Sequence, residues 1–351
     1  MVIVFFGTPA FAVPSLEALI RSRHTVAAVV SQPDRPRGRG QQLQPTPTKL
    51  VALAHGIPVL QPAKIRDEAF LQQIRDLAAD LGVVVAFGRI LPDALLAIPR
   101  LGMINVHASV LPRYRGAAPI QRAVLAGDAE TGVTIMRVAS ELDAGPTFAV
   151  ATAPIPPDAT SGDMEAVLAP LGAQSLLPVV DALEAGTAIE TPQDASQATH
   201  AAKITKEEGA IDWTAPATII HNRVRGLQPW PTAWTRLGPD RIVLRKTWHP
   251  GVRSTNPPTP GVRSKNTPTP VPDPTNGGFL DLTPGSGGFL DLTPDLAPGT
   301  IVHAAGDDLV VACGDRTMLR VLELQPEGRR TMTAREFLAG RGVAAGARFT
   351  S

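Results

Sequence analysis

Two polar side chains stand two residues apart in an otherwise apolar stretch, Gly102-Met-Ile-Asn105-Val-His107-Ala-Ser109. In an extended strand residues i and i+2 share a face, so the Asn105 amide and the His107 imidazole point the same way. An amide that donates hydrogen bonds beside a ring that titrates near neutrality suits a reaction in which a carbonyl oxygen gains negative charge while a proton moves. The pair equally suits a polar strand end with a satisfied histidine, and spacing alone leaves both open. Asp143, in Glu141-Leu-Asp-Ala-Gly145-Pro, follows the next expected strand, from where it could orient the imidazole and accept a proton. An Asp that merely closes its own turn is as common in this setting; placement at the same end of one sheet tilts the reading toward function.

Two basic segments stand out. Asp34-Arg35-Pro-Arg37-Gly-Arg39-Gly is a loop punctuated by Gly and Pro, with three arginines against one acid. It suits phosphate contact with order gained on binding, and it equally suits solvated surface charge. Arg316, Arg320, Arg329, Arg330 and Arg335 form a second set among short strands, the setting of barrels that bind oligonucleotides. One tyrosine and four tryptophans in the whole chain limit base stacking, so RNA recognition would rest on backbone and shape.

Other chemistries find less support. Gly7-Thr-Pro-Ala-Phe lacks the further glycines that bring backbone to a pyrophosphate, and no P-loop segment occurs, so neither NAD nor P-loop ATP binding is expected. The lone cysteine, Cys313, allows no internal disulfide and no thiolate cluster; no metal is expected. Lys and Arg number 33 against 32 for Asp and Glu, a net charge of +1, which excludes a protein coated in basic residues. No stretch approaches ~20 unbroken apolar residues and the start lacks a basic leader, so the expected compartment is cytoplasmic.

The elements that must position these groups follow from hydrophobic periodicity. Val-Ile-Val-Phe-Phe at 2–6 reads as a strand buried on both faces. Leu16, Leu19 and Ile20 mark a helix, and 25–30 the next strand. Phe70, Leu71, Ile74, Leu77 and Leu81 mark another helix, with strands expected at 83–87, 103–106 and 131–136 and a helix at 120–125. This alternation predicts an α/β, doubly wound (Rossmann-like) parallel-sheet domain over 1–189. A polar linker is expected at 190–204, and at 205–351 a smaller OB-like β-barrel whose strands include 242–245, 309–312 and 318–324. Its course is interrupted at about 250–298 by two tandem near-repeats, Gly-Val-Arg-Ser at 251 and 261 and Gly-Gly-Phe-Leu-Asp-Leu-Thr-Pro at 277 and 287. Rich in proline and turn formers, these read as a loop between two barrel strands.

The ordered motifs Gly7-Thr-Pro, Gln32-Pro-Asp-Arg-Pro, Ala86-Phe-Gly88-Arg-Ile-Leu-Pro92, Ile104-Asn-Val-His-Ala-Ser-Val-Leu-Pro-Arg-Tyr-Arg-Gly-Ala-Ala-Pro and Leu142-Asp-Ala-Gly-Pro, with Lys203-Ile-Thr-Lys-Glu-Glu-Gly downstream, resemble bacterial methionyl-tRNA formyltransferases. The resemblance implies formyl transfer from 10-formyltetrahydrofolate, leaving tetrahydrofolate, to the α-amine of initiator methionyl-tRNA. It implies Asn105, His107 and Asp143 as catalytic residues. Ser109, Val110, Leu111 and Pro112, with Gly88, Ile90 and Leu91, would meet the folate. Arg35, Arg37 and Arg39, with Arg316, Arg320, Arg329 and Arg330, would meet the tRNA. No membrane association is expected, and a monomer is. Rival formyl-folate enzymes acting on a purine precursor, on a nucleotide sugar or on water share the Asn, His and Asp set; the basic loop and the barrel weigh against the purine enzyme. An idle RNA-binding protein on the same scaffold is the reading from another class, and retention of all three polar residues argues against it.

Overall fold

The computed structural model describes residues 1–37, 42–250 and 296–351. They form two compact units, residues 1–155 with 159–204, and residues 156–158 with 205–351.

In the first unit the chain alternates strand and helix: β1 (Val2–Gly7), α1 (Val13–Arg21), β2 (Thr25–Val30), the short hairpin β3 (Arg35–Arg37) and β4 (Gln42–Gln44), α2 (Pro47–Ala54), β5 (Val59–Leu60), α3 (Glu68–Asp76), β6 (Leu81–Val85), α4 (Asp93–Leu96) and β7 (Met103–His107). Then come β8 (Arg115–Gly116), α5 (Pro119–Ala126), β9 (Glu130–Arg137), β10 (Thr147–Pro154), α6 (Ser161–Ala185) and β11 (His200–Ala201). The seven-stranded sheet has the order β10-β9-β7-β6-β1-β2-β5. Along β1, Ile3 and Phe5 enter one core while Val4 and Phe6 enter the core on the opposite face. A continuous apolar run is what such a strand requires, and each fully buried side chain contributes about 1.5–3 kcal/mol.

Three features differ from the sequence expectation. The sheet is parallel from β5 to β7, but β9 and β10 are antiparallel additions at one edge; the chain leaves β7 at its C-terminal end and re-enters the sheet at that same end. Leu81, expected on a helix, opens β6, because Ala78 at φ +46° reverses the chain and pairing of Ile3 with Leu81 sets the register. Residues 190–204, expected as a linker, pack on the first unit: β11 pairs in parallel with β8, and the Arg115 and Ala117 amides donate to the carbonyls of Thr199 and Ala201. Polar composition there serves hydrogen bonds to the domain, not solvation.

Helix α6 is long and apolar enough, by length and composition, to cross a bilayer. Here Met164 and Leu168 lie in one core cluster and Leu176, Val179, Val180 and Leu183 in another, the pattern of a buried core helix.

The second unit holds α7 (Ala217–Gly226), β12 (Ala233–Leu237), β13 (Asp240–Trp248), β14 (Ile301–Ala305), β15 (Asp308–Ala312), β16 (Met318–Pro326), β17 (Met332–Thr333), α8 (Ala334–Ala339) and β18 (Phe349–Thr350). The strands form one curled antiparallel sheet, β14-β15-β16-β13-β12-β18, with β17 on β16. Its two edges meet at a bridge between Thr300 and Arg348, flanked by amide hydrogen bonds from Ile301 to the Ala347 carbonyl, Gly346 to that of Ile301 and Phe349 to that of Gly299. The three strands expected from alternation lie within β13, β15 and β16. Helix α7 was not expected; Ala217, Ile220 and Val224 recur at helical spacing and enter the barrel core. The near-repeats at 251–295 and Arg39 lie outside the described residues.

Candidate active site

On β7, Ile104 and Val106 face the core beneath α6, so Asn105 and His107 face the other way, as strand alternation requires. His107 is buried and Asn105 half-buried. The Asn105 side chain is bonded to nothing among the described residues. Because β1, β6 and β7 are parallel, their C-terminal ends bring Gly7, 86–88 and 105–112 to one end of the sheet, where open α/β folds bind their ligands.

The imidazole is fixed on both sides. Nε2 lies 2.9 Å from the carbonyl oxygen of Tyr114, and a carbonyl only accepts, so Nε2 carries the proton. Nδ1 faces Asp143, 3.7 Å from Oδ2, and is the nitrogen left for chemistry. Tyr114 reaches this position through a left-handed backbone, φ +60°, which costs about 1 kcal/mol or more. Its phenol donates to Asp128 at 2.7 Å, and burial with that carboxylate holds its pKa up at about 12.

Asp143 arrives by a route the sequence did not reveal. Since β9 runs antiparallel to β7, Arg137 at its end pairs with Ile104, and the 138–146 segment must carry Asp143 back to His107. Asp143 has φ +48°. Its Oδ2 accepts the Gly116 amide at 2.9 Å, and its own carbonyl accepts from Gln193 Nε2 at 2.8 Å. At Gly145 a Cβ would stand 2.0 Å from the Arg137 carbonyl oxygen, so the turn closes only on glycine. Gly116, at φ +125° and with its Cβ position 2.7 Å from the Ala201 oxygen, is held to glycine twice over. Gly116 and Gly145 mark these contacts in the sequence; Gln193 carries no such signal.

The residues expected at the folate divide. Gly88 and Ile90 are exposed, Ile90 at 73%, and Val110 and Pro112 are half-buried. Leu91 and Leu111 are buried. Ser109 is fully buried, and its hydroxyl donates to the Arg113 carbonyl at 2.6 Å. Thr134 Oγ1 donates to the Ser109 carbonyl at 2.7 Å and accepts the Leu111 amide. The Ser109 side chain therefore braces the turn, leaving that turn's Val110 and Pro112 as its accessible side chains.

The expected RNA contacts are similarly uneven. Arg35 is exposed on β3 and donates to Gln32 at 3.2 Å, beside an exposed Leu43 on β4. Asp34 turns inward to Lys49 at 2.6 Å, whose ammonium, with Gln61, holds the carboxyl below its usual range. In the second unit Arg320 pairs with Asp308, Arg330 with Glu336 and Arg335 with Asp307. These carboxylates offset much of the positive field expected from the arginines. Arg329 is exposed, as is Arg316 at φ +54°.

A formyl transferase domain matches residues 1–180 and a formyl transferase C-terminal domain residues 203–342. Methionyl-tRNA formyltransferase of Methylococcus capsulatus is 44% identical over 98% of this chain and 98% of its own length. The fold is shared with an N-formyltransferase of Helicobacter canadensis solved with folinic acid and dTDP-3-aminofucose: TM-score 0.61, 14% identity, 92% of this chain and 99% of that one. It is shared also with HypX of Aquifex aeolicus in complex with tetrahydrofolic acid, at TM-score 0.57 and 14% identity over 100% of this chain, which spans about half, 50%, of HypX. Matched in both halves and along its full length, the chain belongs to the formyl transferase family, in its methionyl-tRNA formyltransferase group.

Proposed function

We propose that the protein transfers a formyl group from 10-formyltetrahydrofolate to the free α-amino group of methionyl initiator tRNA. The observation that carries this is the convergence of Asn105, His107 and Asp143 at the ligand end of the sheet, in a chain whose full-length relative bears that name.

The geometry supports the following chemistry. The neutral amine attacks the formyl carbon, forming a C–N bond and a tetrahedral intermediate with negative charge on oxygen. The uncommitted Asn105 amide donates to that oxyanion. His107 Nδ1 takes a proton from the attacking amine, and the Asp143 carboxylate stabilises the resulting imidazolium. Collapse breaks the bond to folate N10, which takes the proton and leaves as tetrahydrofolate. In this reading Gly88, Ile90 and Leu91 and the 109–112 turn line the folate, with Ser109 acting through the turn. The β3–β4 hairpin with Arg35, Arg37 and Arg39, together with Arg316, Arg320, Arg329 and Arg330, meets the tRNA. The protein works as a cytoplasmic monomer.

The test is formyl incorporation from 10-formyltetrahydrofolate into initiator methionyl-tRNA, beside elongator methionyl-tRNA and beside no tRNA. Formylation confined to the initiator is the expected result. Tetrahydrofolate release without tRNA would identify a hydrolase and overturn the proposal.

A further inference from the structure

The side chain of Gln193 is saturated with hydrogen bonds to the parts that hold Asp143. Its Nε2 donates to the carbonyls of Asp143, at 2.8 Å, and Gly145, at 2.7 Å. Its Oε1 accepts from Arg115 Nε at 3.1 Å and Nη2 at 2.9 Å. Arg115 in turn lies 3.5 Å from Glu141, on the same 138–146 segment, and its neighbour Gly116 donates its amide to the Asp143 carboxylate. One amide thus ties β8 to two carbonyls of the turn, one of them that of Asp143 itself, which sits in the left-handed region, φ +48°. Such a conformation persists only where its surroundings over-determine it. Released from Gln193, the turn has a lower-energy backbone to fall into, and the Asp143 carboxylate would move away from His107.

We propose that Gln193 is a positioning residue: its amide holds the Asp143 turn and thereby sets the separation between the Asp143 carboxylate and His107. The inference rests on the formyl-transfer reading for its effect on turnover and on geometry alone for its effect on Asp143. Gln193 lies in the segment 190–204, whose composition predicted a linker.

Gln193→Glu is the discriminating variant in the full chain. The carboxylate is isosteric and still accepts from Arg115, but it cannot donate to the two carbonyls. Turnover should fall about 10- to 100-fold, the range a displacement near 1 Å produces, with KM for folate and tRNA within about twofold of wild type. In an Asp143→Ala background the same change should have less than about a twofold effect, because the group it positions is gone. A readout independent of activity is amide hydrogen exchange at Gly116, whose N–H is protected by the Asp143 carboxylate. Exchange there should quicken about tenfold or more in Gln193→Glu, with the amides of β7 unchanged. Unchanged exchange at Gly116, or equal losses of turnover with and without Asp143, would overturn the proposal. Wild-type failure to formylate tRNA would defeat the formyl-transfer reading while leaving the exchange measurement decisive for Gln193.

Discussion

The Tyr114 carbonyl accepts His107 Nε2–H at 2.9 Å and thereby leaves the opposite ring nitrogen, Nδ1, facing Asp143. A histidine tied in this way cannot turn to present Nε2 without breaking a partly buried bond. In the proposed mechanism Asn105 therefore meets the oxyanion and His107 moves the proton.

Asn105→Ala should therefore lower kcat by about 10²–10³-fold, the usual loss for one oxyanion donor, with KM for folate and tRNA little changed. Steady-state kinetics with saturating initiator methionyl-tRNA check this. Near-native turnover in both Asn105→Ala and Asp143→Ala would remove these residues from the mechanism.

Gly145→Ala should lower both turnover and stability. The added methyl meets the Arg137 carbonyl oxygen at 2.0 Å, and backbone at that distance must move. A cost of about 1–3 kcal/mol is expected for such overpacking, read as a drop in the thermal midpoint together with at least tenfold lower kcat if Asp143 is displaced. Retention of both would mean that the turn tolerates rearrangement.

The β3–β4 hairpin is expected to act on RNA alone. Arg35→Ala should raise KM for tRNA and reduce the slope of log affinity against log salt by about one, while folate KM stays unchanged. Arg330→Ala should do less, because its charge is already paired with Glu336. Binding titrations at several salt concentrations separate the two.

Acid should weaken the second unit before it titrates most carboxylates. His221 and His249 lie 5.4 Å apart, buried near Thr247 and Asp158. Burial, followed by the neighbouring ring, pushes His249 down to about 4, and burial lowers His221 also. A histidine whose folded pKa is depressed stabilises the fold above its unfolded value near 6.5, and that stability is lost as pH falls toward 4. For His249 alone the loss from pH 7 to 5 is about 2 kcal/mol. Urea unfolding followed by tryptophan fluorescence should show it, and His249→Gln should reduce the pH dependence by about that amount.

What could be read from the sequence was what periodicity encodes. Strand spacing placed Asn105 and His107 on one face, and the apolar run of β1 announced burial on both sides. Asp143 does lie beside His107, but by another route than expected: parallel strands were expected, whereas β9 is antiparallel and a strained turn makes the connection. Gln193 was invisible because a side-chain amide bonding to carbonyls fifty residues away leaves no period and no apolar stripe. The arginines of the second unit could be counted, but their partners are set by the fold: Asp308 by the β15–β16 register, Asp307 by where α8 packs, and Glu336 by the first turn of that helix. Helix α7 was hidden by mixed polarity, since its His221, Asn222 and Arg225 are buried as well.

The pairing of β11 with β8 has a bearing on synthesis. A nascent chain released as far as residue 189 already contains Asn105, His107, Asp143 and the whole of α6, yet lacks Gln193 and the strand that the Arg115 and Ala117 amides bond to. The first unit is therefore unfinished until about residue 204 has left the ribosome, and any fragment cut for independent expression should end there rather than at the end of its last long helix.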